Sequence, residues 1–437
     1  MARPTHGACA LLGLLSLGIF TCVTPARAQT HGDTPAREAV SFGGQHRLLY
    51  RYAKPMALGL LGRADDESVL LIRTLLHLEG AVLPSLRLFA QVGSYQALGI
   101  EGSAAPPDAD DGDLAQLFVE VAQTFATRRL GLRVGRQELP LGSTRWFSAR
   151  DGANMRLALD LARVTLEDER LTLDAFAGFE QRYGRRAFDN RPDGQQRLWG
   201  TYNKLVLISD DWLSGEAFYL GRQRASVQYG ELSGRETRHT LSLRLFGKTP
   251  FGLEYIQHAL VQLGRLDGAS VRAWGLSGAV WQHLSKPNAR WRFGTRWDVL
   301  SGDRRAGDGR LSTFDPLFPN PTFLSALPLL HPSNLYEVHP LLSLSAGAVS
   351  MEAGCTFFWR ESVRDAVYGV GGGAILIDGK STRARYTGTQ LALLLSHQID
   401  ERFSVEVSYS YVFAGAAVRA AGGDDMTFFS TATTLAY

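Results

Sequence analysis

Arginines in this chain recur at alternate positions inside short apolar stretches. Arg129 and Arg133 alternate with Leu130, Leu132 and Val134. Arg238 and Arg244 oppose Leu241, Leu243 and Leu245, and Arg290, Arg292 and Arg296 oppose Trp291, Phe293, Trp297 and Val299. Arg73 and Arg87 fit the same pattern. Successive side chains of an extended strand point to opposite faces, so each stretch presents one cationic and one apolar face. A guanidinium stays charged at any relevant pH and grips a carboxylate through two parallel hydrogen bonds. A ladder of such groups favours polyuronates, organic acids or phosphate over cations. Glu120, Asp174, Glu216 and Asp298 share the polar faces and would pair some of the arginines. Partial pairing keeps each site weak, so that an anion can leave. The competing reading is a neutral network of Arg and acid that merely fills an interior.

The elements that must hold these groups are strands. Residues 403–413 alternate cleanly, with Phe403, Val405, Val407, Tyr409, Tyr411 and Phe413 on one face and Ser404, Glu406, Ser408 and Ser410 on the other. The same period recurs along the chain and predicts an all-β protein of about 18 strands. They lie near 45–54, 68–78, 84–97, 114–124, 130–137, 161–167, 171–180, 196–208, 213–222, 238–247, 251–262, 271–283, 290–300, 338–346, 349–360, 388–397, 403–413 and 425–437. Connections alternate long and short. Short ones include residues 167–170, 209–212, 247–250, 285–289 and 398–402; long ones include 101–113, 181–195, 301–337, 361–387 and 414–424. Short turns at one end and long loops at the other predict a single antiparallel transmembrane β-barrel with periplasmic turns and extracellular loops. Tyr437, a terminal aromatic on the last strand, fits that class. Trp146, Trp199, Trp212, Trp281, Trp291, Trp359, Tyr219, Tyr409 and Tyr411 are expected to form interfacial girdles.

The N-terminus reads as an export signal. Arg3 precedes an apolar run, Ala8 to Val23, and Ala26-Arg27-Ala28 supplies the small residues at a cleavage site. The run is shorter than the ~20 residues a spanning helix requires. The expected organisation is a signal peptide at 1–28, cleaved after Ala28, a periplasmic segment at 29–44 and an outer-membrane barrel at 45–437. Of 3 Cys, Cys9 and Cys22 leave with the signal, so Cys355 has no internal disulfide partner. The whole chain has 46 basic and 43 acidic residues; removing Arg3 and Arg27 leaves 44 against 43. That balance argues against nucleic acid as a partner and makes any electropositive site a matter of local segregation.

A second constellation occupies 131–160: Gly-Leu-Arg-Val-Gly-Arg-Gln-Glu-Leu, then Leu-Gly-Ser-Thr-Arg, then Ser-Ala-Arg-Asp-Gly-Ala-Asn-Met-Arg. In order follow Ala-Phe-Asp-Asn at 187–190, Leu-Trp-Gly-Thr-Tyr at 198–202, Arg-His-Thr-Leu-Ser-Leu-Arg-Leu-Phe-Gly-Lys at 238–248 and Arg-Ala-Trp-Gly at 272–275. Ser-Gly-Asp at 301–303, Thr-Phe-Asp-Pro-Leu-Phe-Pro at 313–319, Asn-Leu at 334–335, His-Pro at 339–340 and Phe-Trp-Arg-Glu-Ser at 358–362 complete the set. Over residues 45–437 the chain resembles the alginate-export family of Gram-negative outer membranes. The resemblance implies a monomeric 18-stranded barrel that secretes polyanionic alginate through an Arg-rich pore gated by loops and turns. Carried over by position, it points to Arg136, Glu138, Arg150, Asp151, Asn154, Arg156, Asp160, Asp189, Arg244, Arg296, Arg360 and Glu361, with Arg145 as a further candidate. These mix fixed cations with nearby acids, as a constriction for a sliding charged polymer requires. Two positions depart from the family pattern. Ala153 stands where the family has Pro, and Asp189-Asn190 carries one charge fewer than its paired acids.

Other chemistry finds little support. Gly371-Gly372-Gly373 lacks the strand–helix context of a phosphate loop. Neither a His-Glu-x-x-His nor a Gly-x-Ser-x-Gly motif is present. His331 and His339 precede prolines and read as structural, and Asp108, Asp110, Asp111 and Asp113 read as a solvated acidic loop tip rather than a Ca²⁺ site. No cofactor, metal or enzymatic activity is therefore expected. Four functions compete: a polysaccharide secretion channel with periplasmic partners of a synthesis complex, an anion or organic-acid porin without dedicated partners, an outer-membrane enzyme, and a soluble β-rich binding protein. Heat-modifiable migration on a gel tests the last, and the identity of neighbouring genes separates the first two.

Overall fold

The computed structural model describes residues 40–61, 66–100, 108–208, 211–322, 325–371 and 375–437. The expected signal peptide, the start of the 29–44 segment and Gly372-Gly373 lie outside the described residues. In chain order the barrel strands are β1 (Val40–Lys54), β2 (Glu67–Leu83), β3 (Leu86–Leu98), β4 (Asp110–Phe125), β5 (Arg128–Gln137) and β6 (Leu159–Glu167). Next come β7 (Leu171–Arg182), β8 (Arg191–Ile208), β9 (Leu213–Tyr229), β10 (Leu232–Lys248), β11 (Leu253–Leu266) and β12 (Ala269–Lys286). The last six are β13 (Ala289–Leu300), β14 (Leu335–Ala346), β15 (Val349–Arg360), β16 (Tyr386–Gln398), β17 (Phe403–Ala414) and β18 (Met426–Ala436). Each pairs antiparallel with its sequence neighbours. β1 also pairs with β18, from Gln45↔Ala436 to Lys54↔Thr427, so the 18-stranded sheet closes on itself.

Closure fixes which face is which. Leu130, Leu132, Val134, Leu241, Leu243, Leu245, Leu391, Leu393 and Leu395 are exposed, while Arg133, Arg238, Arg244 and Gln390 on the alternate positions are buried or half-buried. An apolar outside around an enclosed polar face suits lipid, and closure leaves no unpaired strand edge in it. Two aromatic expectations fail here. Trp146 is not on a strand but buried inside the barrel, and Trp281 faces inward, 5% exposed. Trp199 and Tyr219 do face outward, where the indole donates to the phenol oxygen at 3.2 Å.

The connections depart from strict long–short alternation. At the end opposite the termini, β9–β10 and β11–β12 close through two residues each, Gly230-Glu231 and Asp267-Gly268. Asp267 and Gly268 both hold positive φ, 44° and 87°, as a tight hairpin turn demands. Strands β9, β10 and β12, which meet at these turns, are 17 or 18 residues long. The 181–195 connection shrinks to 183–190, and the acidic segment ends early because Asp110 already opens β4. Described residues of 138–158, 301–334, 361–385 and 415–425 pack together in one core inside the barrel.

Candidate functional site

Residues 138–158 leave β5 and return to β6 with Gln137 and Leu159 paired across the two strands. Between them the chain crosses the interior. Near one wall, Arg47 of β1 donates to the carbonyls of Asp151 (2.8 Å) and Ala153 (2.7 Å). On the opposite wall, the Trp146 indole donates to His258 Nδ1 of β11 at 3.2 Å, and Arg145 pairs with Asp298 of β13. Gly142 lies against β9 and β10. A Cβ there would sit 2.6 Å from Glu216 Oε2, and its φ is +56°, so this close approach needs glycine. Asn154 is fully buried and donates to the carbonyls of Ile72, Gln96 and Asp108.

The segment crosses a polar interior because it brings its own apolar core. Leu139, Leu141, Trp146, Phe147 and Leu157 pack with Phe314, Leu317 and Phe318 of the 301–334 connection. Phe147 and Phe318 have ring centroids 4.8 Å apart, and Trp146 meets Phe314 edge-on at 5.5 Å. Residues of 361–385 and 415–425 join the same cluster through Val367, Ile377 and Val418. Truncating one such aromatic costs about 3–5 kcal/mol in a packed core, enough to hold a crossing loop in place.

Guanidinium groups surround this core in mixed clusters. Asp151 accepts from Arg73 at 2.9 Å and lies 3.3 Å from Arg156, which donates to Glu138 at 2.6 Å. Burial would push the Asp151 carboxyl up, but Arg73, Arg156 and Arg47 together hold it well below the usual carboxylate range. Nearer the turn end, Glu120 gathers Arg87, Arg129 and Arg133. At the loop end, Asp315 and Glu236 share Arg224, with Arg238 on Glu236 and the Tyr229 hydroxyl donating to Asp315 at 2.6 Å.

Below the crossing segment a recess opens in the wall of β10–β15. Arg145, Arg244, Arg292 and Arg296 face it, with Trp281 and Leu341 as apolar floor and Glu352 as the acid in its lining. Their carboxylate partners are Asp298, Glu216, Glu352 and Glu337. His339 Nδ1 accepts from Arg296 at 2.9 Å, which places the ring proton of its neutral form on Nε2.

The residues singled out from sequence separate into groups. Arg136 meets Asp160 (3.1 Å) and Asp113 (3.5 Å), and Arg150 stands over the Phe318 ring at 5.9 Å with no carboxylate partner among the described residues. Others fold loops. Arg360 donates to the carbonyls of Thr382 (2.7 Å) and Ala384, and Glu361 accepts from the Gly302 amide and Arg304. Asp189 is exposed and, among the described residues, accepts only from the Arg186 amide, whereas its neighbour Asn190 reaches Asp110 (2.8 Å) and Asp113 (2.8 Å). Sequence reading missed Arg47, Arg222, Arg224 and Asp315. Arg222 closes the expected strand 213–222, and Arg224 continues its alternation into the longer β9, which is the signal the sequence offers.

His331, in the 301–334 connection, adds a pH-sensitive contact. Its Nδ1 lies 3.0 Å from Ser333 Oγ, whose hydroxyl donates to the Phe314 carbonyl, so Nδ1 is the donor. Burial lowers its pKa to about 4, Asp315 pulling upward and Arg150, Arg224 and Arg222 downward. A histidine depressed in the packed state stabilises it fully above ~6.5 and progressively less as pH falls toward that lower value, by up to ~3 kcal/mol. Amide exchange across 314–322 and 325–330, corrected for intrinsic rates, is therefore expected to speed up between pH 7 and pH 4.5. The difference should vanish in His331→Gln; a pH effect that survives there would assign it elsewhere.

No curated protein matches the chain in sequence. Solved structures do match in fold. OccAB4 of Acinetobacter baumannii superposes with a TM-score of 0.58 at 10% identity, over 92% of this chain and 99% of that one. OccD3 of Pseudomonas aeruginosa gives 0.59 at 10% identity, over 92% and 91%. OpdK, an outer membrane protein of Pseudomonas aeruginosa, gives 0.52 at 9% identity, over 91% and 99%. The alginate-export family model matches residues 38–431. A closed barrel with a lipid-facing belt, matched along nearly its whole length, is an outer-membrane channel, and the chain belongs to the alginate-export family.

Proposed function

We propose that the channel carries a carboxylate-bearing saccharide, a uronate oligomer or polymer, out of the periplasm past guanidinium groups on its inner wall. The observation that carries this reading is the recess beneath the crossing segment, where Arg145, Arg244, Arg292 and Arg296 face one space. Each already holds a protein carboxylate. A cargo carboxylate would exchange with that partner rather than enter an empty cationic well, so binding stays weak and the cargo moves on. The other positions in this role are Arg129, Arg133, Arg136, Arg150, Arg156 and Arg238, with Glu138, Asp151 and Asp160 as exchange partners. Periplasmic proteins of a secretion complex would hand over the polymer, and the barrel works as a monomer.

A second reading is an anion-selective porin for small organic acids. It is favoured by the aromatic core that 138–158 and 301–334 build across the interior, which a polymer could pass only if these segments move. Planar-bilayer recording of refolded protein separates the two. Anion-selective current blocked by micromolar polyuronate, but not by the monomeric uronate at equal residue concentration, is expected. Equal block by monomer and polymer would favour the porin, and cation selectivity would sink both.

A further inference from the structure

The lipid-facing columns of β8, β10, β11 and β12 end alike at the external side. Rising along β12 from its periplasmic turn, the exposed residues are Leu284, Val280, Leu276, Trp274 and then Arg272. On β11 they are Gln257, Ala259, Val261, Leu263 and then Arg265. β8 ends on Trp199 and Arg197, and β10 on Arg235. Leu284 and Arg272 are separated by about 40 Å of strand, or ~30 Å of height at a ~40° tilt, against an apolar band ~25 Å tall. The arginines thus stand just above the band, at headgroup level.

Four of them form one cluster. Arg265 is opposite Thr237 of β10 and Ser270 of β12, and Ser270 is in turn opposite Arg310 of the short strand Arg310–Leu311. Arg235 and Arg272 are each two positions along from those partners. Same-face neighbours at such offsets are roughly 5–8 Å apart. Arg235, Arg265, Arg272 and Arg310 are exposed, and none has a side-chain hydrogen bond or ion pair among the described residues. The acids nearby are otherwise placed. Asp308 caps the Arg310 amide at 2.9 Å, Glu231 pairs with Lys380, and Asp267 lies folded against Gly234. Four like charges at this spacing repel one another, and among the described residues no carboxylate is paired with any of the four.

We propose that this collar binds the phosphate groups of the outer-leaflet glycolipid, with Trp274, Leu263 and Leu276 beneath it meeting the acyl chains of the same molecule. A soluble anion would satisfy the arginines but not the apolar columns that lead up to them. A phosphorylated lipid satisfies both. The proposal is independent of the cargo, because none of these side chains faces the interior.

The test uses full-length protein refolded in detergent and native mass spectrometry with added bisphosphorylated lipid A. Retention of one or more lipid molecules is expected, falling roughly tenfold or more in affinity for lipid A stripped of phosphate. The triple variant R265Q/R272Q/R310Q should show the same fall while keeping heat-modifiable migration and unchanged single-channel conductance. Equal retention of phosphorylated and dephosphorylated lipid would overturn the proposal, and this comparison needs no variant to fold. Full displacement of the lipid by millimolar inorganic phosphate would also overturn it, marking a soluble-anion site instead.

Discussion

Replacing residues 138–158 with a four-residue turn is expected to raise single-channel conductance several-fold and leave the barrel folded. Gln137 and Leu159 are register partners, so the gap can be closed by a hairpin turn without moving β5 or β6. The barrel ladder does not depend on the loop, since every strand from β1 to β18 is bonded on both sides by another strand. What the deletion removes is the part that crosses the interior, from Arg47 and Arg73 on one wall to His258 and Asp298 on the other. Phe314 and Phe318 lose Trp146 and Phe147 as packing partners, so the 301–334 connection should loosen with it. The wall charges released, Asp298 and Arg73 among them, would meet water entering the widened interior, which limits the cost of unpairing them. Heat-modifiable migration checks the fold and bilayer current the conductance. An unchanged conductance in a folded variant would mean that the passage does not run through the space this segment fills.

The strands were legible because one physical rule governs them. Residues 403–411 and 291–299 alternate with Thr295 as the exception, and both lie in strands whose inward and outward faces follow that pattern. The two tight turns were not recovered, though Asp267-Gly268 between alternating residues is a strong hairpin signal; expecting a long loop at that end masked it. The crossing of the interior by 138–158 was legible only in part. Trp146 and Phe147 in a stretch without alternation signal a buried loop, but not what buries it, because their partners Phe314 and Phe318 lie some 170 residues on. Asp189 illustrates the limit of position-matching. The family pattern favours an acid there, yet in this chain the inward contacts belong to Asn190, and Asp113 supplies the carboxylate beside Arg136.

Asp151→Asn is expected to raise current noise and shift selectivity further toward anions. The carboxylate holds Arg73 and Arg156, and its backbone carbonyl receives Arg47. Losing its charge leaves these groups with Glu138 and the neutral Gln45 as side-chain acceptors. Breaking a buried pair by neutralising one partner costs about 3–5 kcal/mol. Here that loss falls on the attachment of the crossing segment to β1 and β2, because the strand ladder is untouched. Glu120→Gln is the control. It also strips a carboxylate from several arginines, Arg87, Arg129 and Arg133, but all of them sit on the wall and none touches the loop. It should shift the reversal potential in a salt gradient toward anions without added noise. Asp151 and His331 also part company with pH. Asp151 is held below the usual range, so its contribution is complete above ~3.9 and is lost only as pH falls through that depressed value. Acidifying wild type to pH 4.5 should therefore loosen the His331 side of the core while the Asp151 side holds. If Asp151→Asn were quiet and Glu120→Gln noisy, the segment would be held from the β4–β5 wall, and the geometry of the constriction would have to be redrawn around Glu120.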